Sequence, residues 1–402
     1  MTYEWNHSTI NDVCVLVTDG SHSSPKSVND GKYMVSVKDF TDYGFDFASC
    51  RMISNDDYET LKRNGCVPQI DDILIGKDGA RFFEDIIIYR QREKPALLSS
   101  IAILRCDKSK ILPDFLYYVL RTPSFRQDVK DNYGSGSAIP RIILKDFKRM
   151  MVSYPSLEKQ QAIISVLTAI DSKIQANTEI NDNLEQQAQA IYHERFETVS
   201  PNDLPSDWRI VTLGEVATIS NKSFNPLKEP EILLEHYSIP AFDEARFPVF
   251  ELSTSIKSNK FIIDASCFMI SKLNPTTKRV WKPYCLTGNA VCSTEFIVYK
   301  AKDQSITDFL YSVIDSGSFS DFMCSHVTGS TGSRQRTTPS DTLSYELILP
   351  SEDELAEFQS LVSPMYAQIR INAIENDRLK RLRDSLLPKL MSGEIDVSTI
   401  QL

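Results

Sequence analysis

The sequence predicts an α+β protein with two pseudo-repeated globular domains, each followed by a long α-helix. Three observations support this prediction: short β-forming runs at the front of each half, an internal repeat, and two long segments with a 3-4 spacing of seam residues. The predicted boundaries are residues 1–155 for the first globular domain, 156–200 for the central helix, 201–350 for the second globular domain, and 351–402 for the C-terminal helix and tail. We expect the two helices to pack as an antiparallel coiled coil.

Both globular domains begin with β-forming runs that are separated by turns. Examples in the first domain are Lys32–Val37 (KYMVSV), Asp71–Gly76 (DDILIG) and Ser100–Leu104 (SIAIL). Examples in the second domain are Ser266–Ser271 (SCFMIS) and Glu295–Tyr299 (EFIVY). Each domain then becomes helical, so the pattern indicates β structure in front and a helical C-terminal part.

An internal repeat relates the two halves of the chain. DFLYYV at Asp114–Val119 recurs as DFLYSV at Asp308–Val313, an offset of 194 residues. A Gly/Ser stretch follows in each half, YGSGS at Tyr133–Ser137 and TGSTGS at Thr328–Ser333. Near the front of each half the offset is 203, so the front of the repeat has diverged in length more than the back.

Both long segments carry the spacing of a helix that packs on another helix. The two seams, 195 residues apart, are Leu167, Ile170, Ile174, Asn177, Asn181, Leu184, Ala188 and Ile191, and Val362, Met365, Ile369, Asn372, Asn376, Leu379, Arg383 and Leu386. Arg383 is the one clear break in this pattern. Asparagine in a seam weakens packing but fixes register, so we expect Asn177 and Asn181 to lie level with Asn376 and Asn372 in one polar layer. The alternative is that these asparagines face solvent at a locally shifted seam.

Composition limits the possible partners and compartments. The net charge of −10 argues, taken alone, against a nucleic acid partner, but Arg121–Arg149 and Ile256–Tyr284 are locally basic. The alternative is that these stretches are only solvated faces. The eight cysteines form no C-x-x-C pair, so we expect no zinc site and reduced thiols in the cytosol. We also expect no signal peptide and no membrane-spanning segment.

The motifs of the common catalytic sites are missing from the sequence. There is no G-x-x-x-x-G-K-[ST] phosphate loop, and the five histidines show no H-x-x-x-H spacing. Asn225–Lys228 and Asn274–Thr277 lack the second proline and the aromatic residue of an amino-methyltransferase N-P-P-[YF] motif. The sequence therefore predicts a binding protein with no catalytic residues and no metal site.

Several segments resemble the specificity subunits of type I restriction–modification enzymes. Leu157–Phe196 resembles the central spacer helix of that family. The segments that resemble its target recognition domains are Val17–Val28, Asp71–Ala80, Ser238–Ile263, Ser271–Pro283 and Gly288–Tyr299. The resemblance covers nearly the whole chain. Pro388 departs from it, and we expect the second helix to stop or kink there.

The resemblance implies a non-catalytic DNA-recognition subunit in the cytoplasm of a prokaryotic cell. Each globular domain would read one half of a bipartite, asymmetric double-stranded DNA target, and the helices would set the spacer between the halves. Two methyltransferase subunits would dock on the helices and bring S-adenosylmethionine for adenine methylation. Motor–nuclease subunits, with ATP and Mg²⁺, would complete the restriction complex, so this chain itself would bind no cofactor.

Candidate DNA-binding residues are cationic and amide side chains in the basic stretches and loops, because lysine and arginine bind phosphate and arginine, lysine, asparagine and glutamine read base edges. They are His22, Lys26, Lys77, Arg81, Arg141, Lys257, Lys260, Lys272, Asn274, Lys278, Arg279, Arg334, Gln335 and Arg336. The alternative is that several of them are surface charges without a DNA contact.

Two other functions stay open from the sequence. One is a self-contained DNA methyltransferase or nuclease with degenerate motifs, which binding of S-adenosylmethionine by the isolated chain would favour. The other is a coiled-coil scaffold with no DNA role, which a lack of sequence preference in the assembled complex would favour.

Overall fold

The structure is a computed structural model in which two compact units can be described. The described residues are 5–79, 81–134, 140–200, 202–328 and 335–397. Unit 1 comprises Met1–Ser172 and Leu379–Leu402, and unit 2 comprises Lys173–Arg378. Each unit therefore contains one globular module and a stretch of both long helices. Across the described ranges, no helix has both the length and the apolar character needed to cross a membrane.

Unit 1 contains a mixed module of short strands and helices. Its strands are β1 (Asn6–Thr9), β2 (Cys14–Asp19), β3 (Lys32–Val35), β4 (Phe40–Thr41), β5 (Gly44–Phe45), β6 (Arg51–Ile53), β7 (Ile73–Gly76), β8 (Ile86–Ile88), β9 (Ala96–Leu97), β10 (Ile101–Cys106) and β11 (Met151–Tyr154). Its short helices are α1 (Ile10–Val13), α2 (Asn55–Arg63), α3 (Pro113–Arg121), α4 (Pro123–Asn132) and α5 (Leu144–Arg149). The main sheet is antiparallel in the order β2-β10-β7-β8.

The main sheet of unit 1 is buried on both faces. In β7, Ile73 and Ile75 belong to one core, which includes Phe115 of α3, whereas Leu74 belongs to a second core with Leu97 of β9. Successive side chains of a strand point to opposite faces. The apolar run ILI in β7 is therefore continuous because each face of the sheet has its own apolar layer.

Unit 2 repeats this module with a larger set of strands. They are β12 (Arg209–Thr212), β13 (Ala217–Ile219), β14 (Ser223–Phe224), β15 (Leu233–Tyr237), β16 (Val249–Leu252), β17 (Lys260–Ile262), β18 (Cys267–Ser271), β19 (Val280–Trp281), β20 (Ala290–Ser293), β21 (Phe296–Ala301), β22 (Val327–Thr328), β23 (Arg336–Thr337) and β24 (Glu346–Leu349). Its short helices are α7 (Leu213–Val216), α8 (Ile239–Ala245), α9 (Thr307–Ile314) and α10 (Gly317–Ser325). The sheet β13-β21-β18-β19 has the same antiparallel order as the main sheet of unit 1, and a second sheet has the order β14-β17-β20-β15-β16.

The two long helices are α6 (Leu157–Tyr192) and α11 (Glu352–Met391). We expected α11 to stop or kink at Pro388, and the prediction of a stop there is wrong because the helix continues to Met391. A proline in the last turn removes only one helical hydrogen bond. The chain turns instead at Gly393, whose φ of 75° suits a residue without a side chain.

Within unit 2 the two long helices run antiparallel, and a polar layer joins them. Asn177 Nδ2 donates to Asn376 Oδ1 at 2.9 Å, and Asn372 Nδ2 donates to Asn181 Oδ1 at 2.8 Å. Asn177 also donates to Glu375 at 2.7 Å. Asn177 is 1% exposed and Asn372 is 4% exposed, so this layer lies at the helix interface and not in solvent. The α+β fold with two pseudo-repeated modules, two long helices and an antiparallel pairing is confirmed.

Candidate nucleic-acid interface

Unit 1 holds a lysine and an arginine on adjacent backbone segments at the end of its main sheet. Lys77 directly follows β7, and its N–H donates to the carbonyl of Ser100, just before β10, at 2.9 Å. The Lys77 carbonyl accepts a hydrogen bond from Ile142 N–H at 3.0 Å. Asp78 and Arg141 form an isolated antiparallel bridge. The backbone around Lys77 is therefore tied to the strand on one side and to the Arg141 segment on the other.

Unit 2 contains the same backbone arrangement 195 residues later. Lys272 directly follows β18, and its N–H donates to the carbonyl of Glu295, just before β21, at 2.9 Å. Its carbonyl accepts from Thr337 N–H at 3.1 Å, and Leu273 forms an isolated antiparallel bridge with Arg336. We call this repeated arrangement the lysine–arginine frame. Its pair is Lys77 with Arg141 in unit 1 and Lys272 with Arg336 in unit 2.

A left-handed residue closes the turn after each lysine. Gly79 has a φ of 93° and Asn274 has a φ of 49°, and both positions are again 195 residues apart. Gly79 N–H donates to the Pro140 carbonyl at 3.0 Å, and Asn274 N–H donates to the Gln335 carbonyl at 3.0 Å. Glycine and asparagine are the residues that adopt this conformation most readily. The sequences GKDG and SKLN thus encode the same turn although they share only the lysine.

In unit 1 a buried carboxylate organises the frame. Asp19, at the end of β2, lies 3.2 Å from Lys77 Nζ and 3.3 Å from His22 Nε2. The Lys77 and Asp19 side chains are 9% and 8% exposed, whereas His22 is 76% exposed. Gly20 follows Asp19 at a point where a Cβ would come within 2.3 Å of the Leu97 carbonyl oxygen. The D-G-x-H segment therefore packs tightly, and its aspartate neutralises Lys77.

The other unit 1 candidates lie on neighbouring loops. Lys26 is exposed, and the loop before it is held by Arg51, whose Nη1 donates to the Pro25 carbonyl at 2.9 Å. Arg81 is 73% exposed and pairs with Asp85 at 2.9 Å. Sequence reasoning missed both Asp19 and Arg51, because their roles come from contacts with residues far away in the chain.

In unit 2 the charge of the frame is distributed differently. Arg336 forms two hydrogen bonds with Glu295, at 3.0 and 3.1 Å. Lys272 is half-buried and makes no ion pair within the described residues. Lys257 is exposed, and Arg334 lies outside the described residues. Asn274 and Gln335, next to Lys272 and Arg336 in the chain, complete the polar residues of the frame. Asn274 Oδ1 is buried without a hydrogen-bond partner in the part of the chain that the structure describes.

Three further candidates are not grouped with the frame of unit 2. Arg279 is 13% exposed and binds Asp243 of α8 through two hydrogen bonds, at 2.5 and 2.9 Å. Lys278 Nζ lies 2.8 Å from the carboxylate of Asp315, which follows α9. Lys260 is 5% exposed and donates to Ser258, and burial lowers its pKa. All three cations are therefore engaged by groups of unit 2 itself.

The frame offers chemistry that suits binding. It places ammonium, guanidinium, imidazole and amide groups at the end of a sheet, beside loops. Such groups bind phosphate oxygens and base edges. Among the described residues, no three histidine, cysteine or acidic side chains are close enough together to hold a metal ion.

Comparison with known proteins identifies relatives of one kind. Residues 3–186 match the family model described as the type I restriction modification DNA specificity domain. The chain is 25% identical over 322 residues to the type I restriction enzyme MjaIX specificity subunit of Methanocaldococcus jannaschii, covering 73% of this chain and 71% of that protein. It is 23% identical over 369 residues to the HindI specificity subunit of Haemophilus influenzae, covering 73% and 80%.

A solved structure resembles the fold over almost the whole chain. It is the crystal structure of the type I restriction–modification system S subunit from M. genitalium. The TM-score is 0.55 at 15% identity, and the match covers 96% of each chain. At this identity the likeness concerns the fold alone.

Proposed function

We propose that this chain is a type I restriction–modification specificity subunit, the DNA-recognition subunit of such a complex, because residues 3–186 match the family model and its relatives are specificity subunits. The observation that carries the proposal furthest is the lysine–arginine frame, which occurs once in each unit with the same backbone hydrogen bonds. A duplicated binding frame suits a target made of two half-sites. Each globular module would read one half of a bipartite, asymmetric double-stranded DNA sequence.

The long helices supply the second part of the proposal, which concerns partners. Two methyltransferase subunits would dock on them and bring S-adenosylmethionine, and motor–nuclease subunits with ATP and Mg²⁺ would complete the complex. In unit 2, α6 exposes Ile180 and α11 exposes Leu361 and Ile371, which are apolar groups that a partner could cover. The chain itself would have no catalytic role and would work in the prokaryotic cytoplasm.

The stoichiometry can be measured on the co-expressed complex. Analytical ultracentrifugation should show two methyltransferase subunits for each copy of this chain. Ile371→Glu should weaken that assembly, whereas Glu352→Gln, at the start of the same helix, serves as a matched surface control. A stable one-to-one complex at saturating partner would contradict the proposal.

Mapping methylated adenines tests the reading function directly. Replacing residues 203–350 by the equivalent domain of a relative should change one half of the recognised sequence and leave the other half and the spacer unchanged. A folded, active chimaera that altered both halves, or the spacer, would overturn the two-reader mechanism. Binding of S-adenosylmethionine by the isolated chain would favour a self-contained methyltransferase, and methylation without sequence preference would favour a scaffold.

A further inference from the structure

The two copies of the lysine–arginine frame differ in which cation a carboxylate neutralises. In unit 1, Lys77 is bound by Asp19, while Arg141 is exposed and has no hydrogen-bond or ion-pair partner among the residues that the structure describes. In unit 2, Arg336 is bound by Glu295, while Lys272 has no carboxylate partner in the described ranges.

We propose that Arg141 and Lys272 are the cations of the frame that contact DNA phosphates, and that Lys77 and Arg336 hold the frame in place. This proposal rests on the proposed function and extends it to single residues. The backbone hydrogen bonds of the frame are the same in both units. The units differ in which cation of the frame has a carboxylate beside it.

The carboxylates determine which cation is available for phosphate. Asp19 is almost fully buried, so removing Lys77 from it would leave a buried charge with only the exposed His22 beside it. Arg336 is more exposed, at 43%, but it binds Glu295 through two charge-assisted hydrogen bonds. Each neutralised pair has no net charge to attract a phosphate, whereas Arg141 and Lys272 each add one uncompensated positive charge.

The structure also explains why the available cation can differ between the units. The residue just before β10 in unit 1 is Ser100, which carries no charge. The residue just before the equivalent strand of unit 2, β21, is Glu295. The carboxylate of unit 1 comes instead from Asp19, at the end of β2. In unit 2, Glu295 binds the arginine of the frame. In unit 1, Asp19 binds the lysine of the frame.

The test uses the assembled methyltransferase complex and a duplex that contains its methylation sequence. The magnitude of the slope of log affinity against log salt should fall by about 0.9 for Arg141→Ala and by about 0.9 for Lys272→Ala, because each phosphate contact releases counterions. Arg141→Lys and Lys272→Arg should restore the slope. The double variant Lys300→Gln with Asp264→Asn, which removes an ion pair of unit 2 outside the frame and leaves the net charge unchanged, should keep it.

The outcomes separate this inference from the proposed function. An unchanged slope in either alanine variant, with a thermal melt like that of the wild type, would overturn the inference while specific binding by the wild type stands. A fall of about 0.9 in the Lys300→Gln, Asp264→Asn variant would overturn it too, because the slope would then not report the cations of the frame. A wild-type complex without any sequence preference would instead overturn the proposed function.

Discussion

The Asp171 carboxylate accepts a hydrogen bond from Arg383 Nη1 at 2.9 Å, and this contact joins α6 and α11 within unit 1. Tyr118 of α3 donates to the other oxygen of Asp171 at 2.7 Å. The Asp171 and Arg383 side chains are both 16% exposed. Arg383 interrupts the apolar seam of α11 because the facing helix supplies a buried carboxylate for it.

In unit 2 the residues equivalent to Asp171 and Arg383 do not form an ion pair. The positions 195 residues away from Asp171 and Arg383 are Tyr366 and Ala188. Tyr366 OH shares a hydrogen bond with Ser312 Oγ at 2.8 Å, and Ser312 is the counterpart of Tyr118 in the repeated DFLY element. A large aromatic residue therefore replaces the aspartate, while its two neighbours are small.

The first prediction concerns this exchange. Arg383→Ala should lower the free energy of unfolding by about 2–4 kcal/mol, because it leaves the largely buried Asp171 carboxylate without its cation. The triple variant Tyr118→Ser, Asp171→Tyr, Arg383→Ala reproduces the residues of unit 2 and should recover most of that loss. Urea unfolding followed by circular dichroism measures both values. Equal stability of Arg383→Ala and the wild type would show that the pair contributes little.

The second prediction concerns the polar layer of unit 2. Asn372→Ala should cost about 1–3 kcal/mol, because it leaves the half-buried Asn181 Oδ1 without its donor and Gln368 Nε2 without its acceptor. Replacing Asn181 and Asn372 together by leucine should be close to neutral in urea unfolding, since both polar partners are removed. If the double variant lost more stability than Asn372→Ala, the layer would contribute net stability and not only register.

The third prediction separates two cations of one basic stretch. Arg279→Ala should lower the melting temperature, with a loss of about 1–2 kcal/mol, because it breaks two hydrogen bonds to the partly exposed Asp243. Lys272→Ala should leave the melting temperature unchanged, since Lys272 has no ion pair among the described residues. Differential scanning fluorimetry of the two variants decides this, and a Lys272→Ala protein that melts as low as Arg279→Ala would contradict it.

The repeat and the long helices could be predicted from the sequence because both leave periodic signals. A 3-4 spacing reports one face of a helix, and a constant offset reports a duplicated module. The ion pair that explains Arg383 could not be predicted, because Asp171 becomes its neighbour only once the register of the two helices is fixed. The end of α11 also escaped prediction, since Gly393 and not Pro388 marks it.

The candidate site could be predicted from the sequence only in part, for a related reason. The sequence shows each lysine and arginine of a loop only as a single basic residue, whereas the equivalence of Lys77 with Lys272 depends on backbone hydrogen bonds across strands. Whether a cation is neutralised depends on a neighbouring carboxylate, and Asp19 lies 58 residues before Lys77 in the chain. Composition therefore locates basic stretches, while the three-dimensional contacts distinguish neutralised from available charges.

The last prediction concerns pH and His236, which is largely buried in β15. Its Nδ1 lies 2.6 Å from Glu251 Oε1, and its Nε2 is buried without a hydrogen-bond partner among the residues that the structure describes. Burial lowers the pKa of His236 below its ordinary value of 6.5, nearby Lys260 lowers it further, and Glu251 opposes both. The folded state therefore favours the neutral imidazole.

A histidine whose pKa is lower in the folded than in the unfolded state contributes stability above the unfolded pKa and loses it as the pH falls through the folded pKa. The free energy of unfolding of the wild type should therefore decrease between about pH 7.5 and pH 5.5, around the ordinary pKa of histidine. His236→Gln can still donate a hydrogen bond to Glu251 but does not titrate, so its decrease over the same interval should be smaller. Urea unfolding of both proteins at the two pH values measures the difference. Parallel pH dependences for the two proteins would show that His236 does not couple protonation to the stability of unit 2.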